Sequence, residues 1–198
     1  MTKIAQTTAA VMPSVANRWS PRAFAPTAVK KADLKSLLEA ARWAASAYNE
    51  QPWRYIVATR DNAAEFDKLL GVLVEANQAW AKNAQVLMLS LAKKTYTYNG
   101  SPNRHAWHDV GMADAQLSLQ ASSLGLATHW MAGFSAQKAV EAYNIPDDFE
   151  PVAAVAIGYE GDPETLPEAA RKAELAPRER KPHEALFFTG SFGQPTNL

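Results

Sequence analysis

The run Val152-Ala153-Ala154-Val155-Ala156-Ile157-Gly158 is apolar at both its odd and its even positions. A strand formed there buries both faces, so it belongs in the interior of a sheet with other layers covering each side. A second run, Val86 to Leu89 with Leu91-Ala92 after Ser90, reads the same way. Both are far shorter than the roughly 20 apolar residues of a membrane helix.

Segments of helical period stand between and around these strands. A short helix is expected from Val11 to Asn17, ended near Arg18-Trp19-Ser20-Pro21-Arg22 by the stiff proline. From Asp33 to Trp43, Leu34, Leu37, Leu38 and Ala41 share a helix face. Arg54 to Arg60 has the β-branched and aromatic content of a strand. Asp61 or Asn62 can cap a helix running through Leu70, and a further helix around Leu73 to Lys82 precedes the strand Gln85 to Ala92. The polar loop Thr95 to Arg104 carries Asn99-Gly100 and Ser101-Pro102 and is placed as a substrate-facing lid.

The longest helical pattern is His105 to Leu124, with Val110, Ala113, Leu117, Gln120 and Leu124 on one face and Gly125 as its stop. A strand at Ala127 to Met131 and a serine-capped helix from Ser135 to Asn144 follow. Prolines at 163, 167, 177 and 182 make Asp162 to Pro182 read as an extended arm, and Leu186-Phe187-Phe188 as an apolar strand that needs a surface to dock on. A second subunit or the chain's own sheet would serve. There is no internal repeat and no long linker, so residues 1–198 are expected to form one domain with 162–198 as its arm.

Composition narrows the chemistry. Lys plus Arg equals Asp plus Glu at 20 each, which leaves no bulk field for nucleic acid or an anionic membrane. The absence of cysteine removes disulfides, thiol nucleophiles and thiolate-held metals. Met1 to Thr8 has no sustained apolar stretch, so a cytoplasmic location is expected.

A protein-borne catalytic group is hard to find. There is no Gly-x-Ser-x-Gly elbow, no glycine-rich phosphate loop and no His-Glu-x-x-His pair. His105, His108 and Asp109 form the one histidine cluster, but two neighbouring histidines with no obvious third ligand usually have structural or surface roles, and no metal is expected. By contrast, Arg18-x-Ser20-x-Arg22 offers two guanidinium forks and a hydroxyl, groups that match phosphate oxygens. Read alone, it is equally a patch of surface charge.

Read together, the segments resemble the nitroreductase family from about residue 14 to about 190. Arg18-Trp19-Ser20-Pro21-Arg22-Ala23-Phe24 is similar to its Arg-x-Ser-x-(Arg/Lys)-x-Phe opening, and Ser46-Ala47-Tyr48-Asn49-Glu50-Gln51-Pro52-Trp53 to its Ser-x-x-Asn-x-Gln-Pro-Trp signature. Asp109 to Ala113 and Ala121 to Leu126 resemble the central helix, Trp130 to Phe134 a turn beside the flavin, Val155 to Tyr159 the late core strand, and Arg178-Glu179-Arg180-Lys181-Pro182 the basic C-terminal element.

The resemblance implies an α+β fold with a central, mostly antiparallel sheet flanked by helices, and a C-terminal strand exchanged in a homodimer. It implies FMN in the dimer interface, with Arg18, Ser20, Arg178 and Arg180 on the phosphate and Arg22 at the pyrimidine edge, where positive charge favours the reduced flavin anion. Ser46, Asn49 and Gln51 would come from the other subunit, Asn77 would read the ring edge, and Ala132 and Gly133 would offer backbone N–H groups. The activity implied is ping-pong transfer of hydride from NADH or NADPH through flavin N5 to a small electron-poor acceptor, a nitroaromatic, quinone or related compound. No side chain is nominated as catalytic, because the cofactor carries the redox chemistry. Trp130, Tyr96, Tyr98 and Trp107 are candidates for the acceptor pocket or for packing.

The chain departs from the family pattern where Trp130-Met131-Ala132-Gly133 replaces a Pro-x-Glu-Gly turn and Ala45 a proline. Two other readings stay open: a flavin-binding protein without turnover, and a flavin-free metalloprotein built on His105, His108 and Asp109.

Overall fold

The computed structural model describes residues 3–196. One or two helices precede each strand: α1 Pro13–Asn17, α2 Lys31–Arg42, β1 Trp53–Thr59, α3 Ala63–Val72, α4 Glu75–Ala81, β2 Val86–Lys93, α5 Ala106–Ser123, β3 Ala127–Met131, α6 Ala136–Tyr143, β4 Phe149–Gly158 and, last, α7 Glu168–Leu175. The strands form one sheet in the order β1-β2-β4-β3, and every neighbouring pair is antiparallel. The expected α+β architecture, an antiparallel sheet flanked by helices, is therefore what the chain adopts.

The doubly apolar strands β2 and β4 take the two interior places because core lies on both sides of them. Leu87, Leu89, Ala154 and Ala156 pack with Phe66 and Leu69 of α3 on one face. Val86, Met88, Val155 and Ile157 pack with Leu37 and Ala41 of α2 and with Val110, Ala113, Leu117 and Ala121 of α5 on the other. Each fully buried leucine contributes about 1.5–3 kcal/mol relative to exposure. Ala121 rather than Gln120 completes the buried face of α5, and Gly125 ends that helix at φ 73°. At α3 the cap is Asn62, whose side chain accepts from the Glu65 N–H, and at α6 it is Ser135.

The C-terminal segment departs from the expected extended arm, and its last apolar run is not a strand within the single chain. The stretch from Asp162 to Pro182 contains α7, and its prolines punctuate rather than extend: Pro167 immediately precedes the helix, a place where a missing N–H costs nothing. Leu186-Phe187-Phe188 forms no strand within the chain. Leu186 closes a 3₁₀ turn over His183–Ala185, and Phe188 makes one isolated bridge to Pro195. A strand needs an edge to pair with, and this chain presents none there. The last two residues of the expected arm lie outside the described residues. Among the described residues no helix is long and apolar enough to cross a membrane.

The connection from Thr95 to Arg104 is a pinned hairpin-like loop. Thr95 bridges Pro102, the Gly100 N–H donates to the Tyr96 carbonyl, and the Thr95 hydroxyl donates to Asp148 at 2.9 Å. The Glu50 carboxylate accepts from the Thr97 N–H at 2.9 Å and meets Lys93 at 3.3 Å, which ties this loop to the segment before β1.

Candidate functional site

Residues 18–22 lie between α1 and the β3 edge of the sheet. The main chain at Arg22 and just beyond it, through Ala25, is fastened on two sides. The Ala25 N–H donates to the Tyr159 carbonyl and the Gly161 N–H to the Ala23 carbonyl, both at 2.9 Å. Gly161 comes so close that a Cβ there would stand 2.6 Å from the Phe24 carbonyl carbon. From α7, the Glu174 carboxylate accepts from the Arg22 and Ala23 N–H groups at 2.9–3.1 Å.

The side chains of this segment contrast with its backbone. Arg18, Ser20 and Arg22 are half-buried, and among the described residues none of the three makes a side-chain hydrogen bond or ion pair. Burial, together with the nearby charge of Arg180, lowers the pKa of Arg18. Burial, Arg18 and Arg180 lower that of Arg178. Three guanidinium groups thus share one region without a carboxylate partner, an arrangement that costs free energy unless an anion completes it. A cleft of about 480 Å³ opens beside Arg18, lined also by Asn17, Trp19, Ser122, Tyr159 and Glu160.

Arg178 is placed differently from the others. Its Nη1 donates to the carbonyls of Lys3 and Ala16 and its Nη2 to that of Arg18, at 2.5, 2.9 and 2.9 Å. Arg180 is exposed, with Nη1 donating to the Glu179 carbonyl.

Beside Arg22 stands His129 of β3, whose Nδ1 is 2.9 Å from the Pro21 carbonyl and whose ring lies 4.5 Å from that of Trp80. Burial first, then the charge of Arg22, pushes its pKa down to about 4. The imidazole is therefore neutral at pH 7 and donates through Nδ1. From the same helix as Trp80, Asn77 donates through Nδ2 to the Gly133 carbonyl at 3.0 Å, and the Val74 N–H shares that carbonyl. The amide oxygen of Asn77 stays free, as does the Gly133 N–H among the described residues. A Cβ on Gly133 would lie 2.5 Å from Asn77 Nδ2 and 3.0 Å from Val74 Cγ2, so any larger residue there displaces the Asn77 amide. Ala132 beside it is exposed.

The second group, Ser46, Asn49 and Gln51, lies at the opposite edge of the sheet, leading into β1. The Ser46 hydroxyl accepts from the Gln51 N–H at 3.0 Å, and the Gln51 side chain donates to the Asn49 carbonyl. Tyr48, Asn49 and Gln51 all hold left-handed φ angles of 52–54°. That conformation is unfavourable for side-chain-bearing residues, least so for asparagine, and marks stored strain. Asn49 is exposed and Tyr48 is 81% exposed. Tyr48 meets Tyr96 and Tyr98 of the pinned loop in an aromatic trio with centroids 5.4–5.9 Å apart.

No hydrogen bond joins this group to residues 18–22. With β2 and β4 between β1 and β3, the two sheet edges are separated by three strand spacings, about 14 Å. One chain brings together Arg18, Ser20, Arg22, Arg178 and Arg180, and separately Asn77 with Gly133, but not the 46–51 segment with either.

The histidine cluster is engaged locally. His108 Nδ1 is 3.0 Å from Asp109 Oδ1, and the other Asp109 oxygen accepts from the Ala47 N–H at 2.9 Å. Among the described residues no three potential ligands gather.

Two features escaped the sequence reading. Asp114 is buried inside α5, accepting from the Tyr55 hydroxyl at 2.7 Å and from Ser90 at 3.2 Å, and desolvation raises its pKa to about 6. Glu174 also went unnoticed, although its place on the same helix row as Ala170, one of the residues packed against the core, was a signal.

The sequence profile described as Nitroreductase family matches residues 15–159. A crystal structure described as an oxidoreductase containing FMN superposes with a TM-score of 0.89 at 37% identity, over 94% of this chain and 95% of its own. A nitroreductase family protein from Clostridium difficile 630 superposes with a TM-score of 0.71 at 26% identity, over 92% and 99%. An uncharacterized 15.4 kDa protein of Mycolicibacterium smegmatis is 36% identical over 148 residues, 72% of this chain and 99% of its own. A protein of Archaeoglobus fulgidus with the provisional name NADH dehydrogenase/NAD(P)H nitroreductase is 26% identical over 156 residues, 77% and 86% of the two chains.

Proposed function

Because the chain belongs to the nitroreductase family, we propose that it is an FMN-dependent oxidoreductase, working as a homodimer, that takes hydride from NADH or NADPH and passes it to a small electron-poor acceptor. The observation that carries this reading is the set of half-buried donors on Arg18, Ser20 and Arg22 without a protein acceptor, in the company of Arg178 and Arg180. Such a cluster fits a phosphate-bearing anionic cofactor. The relative described as containing FMN and the nicotinamide-linked name of the Archaeoglobus protein point the same way.

When bound, FMN would supply the redox chemistry, the exchange of hydride between nicotinamide and acceptor. The chain's own residues bind and orient. Arg18, Ser20 and Arg180 hold the phosphate, and Arg178 adds charge while its Nη atoms stay on main-chain carbonyls. Arg22 presents a cation to the pyrimidine edge, where it stabilises negative charge. The free amide oxygen of Asn77 and the free Gly133 N–H offer the acceptor and donor that a flavin edge requires, with Ala132 leaving room beside them. Ser46, Asn49 and Gln51 reach the cofactor from a second copy of the chain. Protons come from solvent.

Dimerisation is supported by the surface. The outer face of α5 shows His108, Gly111, Met112 and Ala115 without a formal charge of fixed sign, and Phe187 and Phe192 are 50% and 94% exposed. Exposed apolar side chains such as Met112, Phe187 and Phe192 are candidates for cover by a second copy of the chain. The aromatic trio of Tyr48, Tyr96 and Tyr98 would then face the acceptor space.

The test is an absorbance spectrum of purified protein, mass determination of any released cofactor, and steady-state oxidation of NADH and NADPH with a nitroaromatic or a quinone. Flavin absorbance, released FMN and turnover are expected. Flavin without turnover would favour a binding protein. Colourless protein that FMN cannot reconstitute overturns the reading, and activity lost to a chelator but indifferent to Arg18 would favour a metalloprotein.

A further inference from the structure

The family match ends at Tyr159, yet much of what fixes the main chain around Arg18, Ser20 and Arg22 comes from residues beyond it. Glu174, the last residue but one of α7, is 1% exposed. Its Oε1 accepts from the N–H groups of both Arg22 and Ala23, and its Oε2 from that of Arg22. A buried carboxylate is costly unless its lone pairs are satisfied, and here main-chain donors satisfy them. Four residues further along the chain, Arg178 reaches the carbonyls of Lys3, Ala16 and Arg18. Lys3 answers by donating through Nζ to the carbonyls of Glu174 and Ala176.

We infer that Glu174 and Arg178 are positioning residues: α7 and the residues following it form a clasp that sets the main-chain course from Ala16 to Ala23, and with it the spacing of the Arg18, Ser20 and Arg22 side chains toward an anionic cofactor. This rests on the proposal that those side chains hold FMN. The clasp separates two roles that the basic C-terminal element seemed to share. Arg180 remains exposed for the ligand, whereas Arg178 acts through the Arg18 backbone. It also links the two regions thermodynamically, so that a ligand held at residues 18–22 stabilises the docked state of α7 and a docked α7 strengthens the ligand.

The experiment uses the full chain, with amide hydrogen exchange of the apo and FMN-loaded protein and FMN affinity from flavin fluorescence. In Glu174→Ala, the Arg22 and Ala23 amides of the apo protein should exchange about tenfold faster or more, and FMN should bind about tenfold more weakly, because two main-chain donors lose their acceptor. Glu174→Gln keeps an oxygen that both N–H groups can use and should restore most of the protection and the affinity. Addition of FMN to the unaltered chain should slow exchange in α7. The clasp is overturned if Glu174→Ala leaves exchange at residues 22 and 23 unchanged, or speeds it without changing FMN affinity. Should Glu174→Ala fail to fold, Arg178→Lys decides: loss of protection at 16–18 with weaker FMN supports the clasp, and retention of both refutes it. A chain that never binds FMN strikes the proposed function instead, and exchange in the apo protein still judges the clasp.

Discussion

The two groups of candidate cofactor residues are built in opposite ways. Residues 18–22 are anchored through their main chain to Glu174, His129 and Arg178, and among the described residues leave the side chains of Arg18, Ser20 and Arg22 without hydrogen-bond partners. In residues 46–51 the Ser46 and Gln51 side chains bond to the segment's own main chain, three residues hold left-handed φ angles, and Tyr48 and Asn49 stand exposed at the far edge of the sheet. The first is a receptor completed behind and open in front. The second is a strained, outward-facing tip that finds no anion in its own chain. Together they describe complementary halves that a twofold axis can join, since an isologous interface carries each half to the other.

That contrast breaks most sharply at Arg18. Arg18→Ala should weaken FMN binding about 100-fold, the loss of a charge-assisted contact of 1.5–3 kcal/mol. The melting temperature of the apo protein should hold or rise, because the side chain bonds to nothing in the chain and faces Arg180. A large drop would make Arg18 a structural cation instead. Next comes Gly133→Ala, which forces a Cβ against Asn77 and Val74 and should cost about 1–3 kcal/mol in denaturant unfolding.

Each half also has a titrating neighbour, and the two work against one another. His129, bonded to Pro21, has its pKa depressed from 6.5 to about 4, so its contribution is present above pH 6.5 and lost as pH falls toward 4. Asp114, bonded to Tyr55 just after the second half, has its pKa raised from 3.8 to about 6, so its contribution is present below pH 3.8 and lost as pH rises toward 6. Between pH 4 and 6 the slopes, each at most about 1.4 kcal/mol per unit, oppose. Urea unfolding of the unaltered chain should therefore vary little from these two groups there. Asp114→Asn should leave stability rising with pH, and His129→Gln should leave it falling. The smallest effect expected is at the strained tip: Tyr48→Gly should relieve a left-handed φ and raise stability by up to about 1 kcal/mol, read as a shift in the urea midpoint.

Much of this was legible in the amino acids. Apolarity at every position of Val152 to Gly158 placed β4 in the interior, and the Ser135 cap marked α6, because both are local signals. The motifs around Arg18 and Ser46 marked the two segments from which the proposed site is drawn. Proximity without sequence neighbours was not legible. The four late prolines suggested an extended arm, whereas Pro167 and Pro177 bracket α7 from outside. Leu186 to Phe188 had strand composition but no edge within reach, and pairing is a property of the edge as well as of the segment. Arg178 read as one of two equivalent cations until its carbonyl partners, which come from Lys3, Ala16 and Arg18, set it apart from Arg180. Tyr55, Ser90 and Asp114 meet only after β1, β2 and α5 have packed.

The claim that one flavin site is assembled from two chains is tested most directly by mixing. Arg18→Ala and Asn49→Ala chains, each impaired as a homodimer, are unfolded together, refolded and assayed for bound FMN and nicotinamide oxidation. A mixed dimer then holds one doubly damaged site and one with both Arg18 and Asn49 intact. The account predicts recovery of FMN binding and activity toward the level of one good site per mixed dimer. A mixture no better than its two parents would place Arg18 and Asn49 in the same chain's site, or in different sites altogether, and would contradict it.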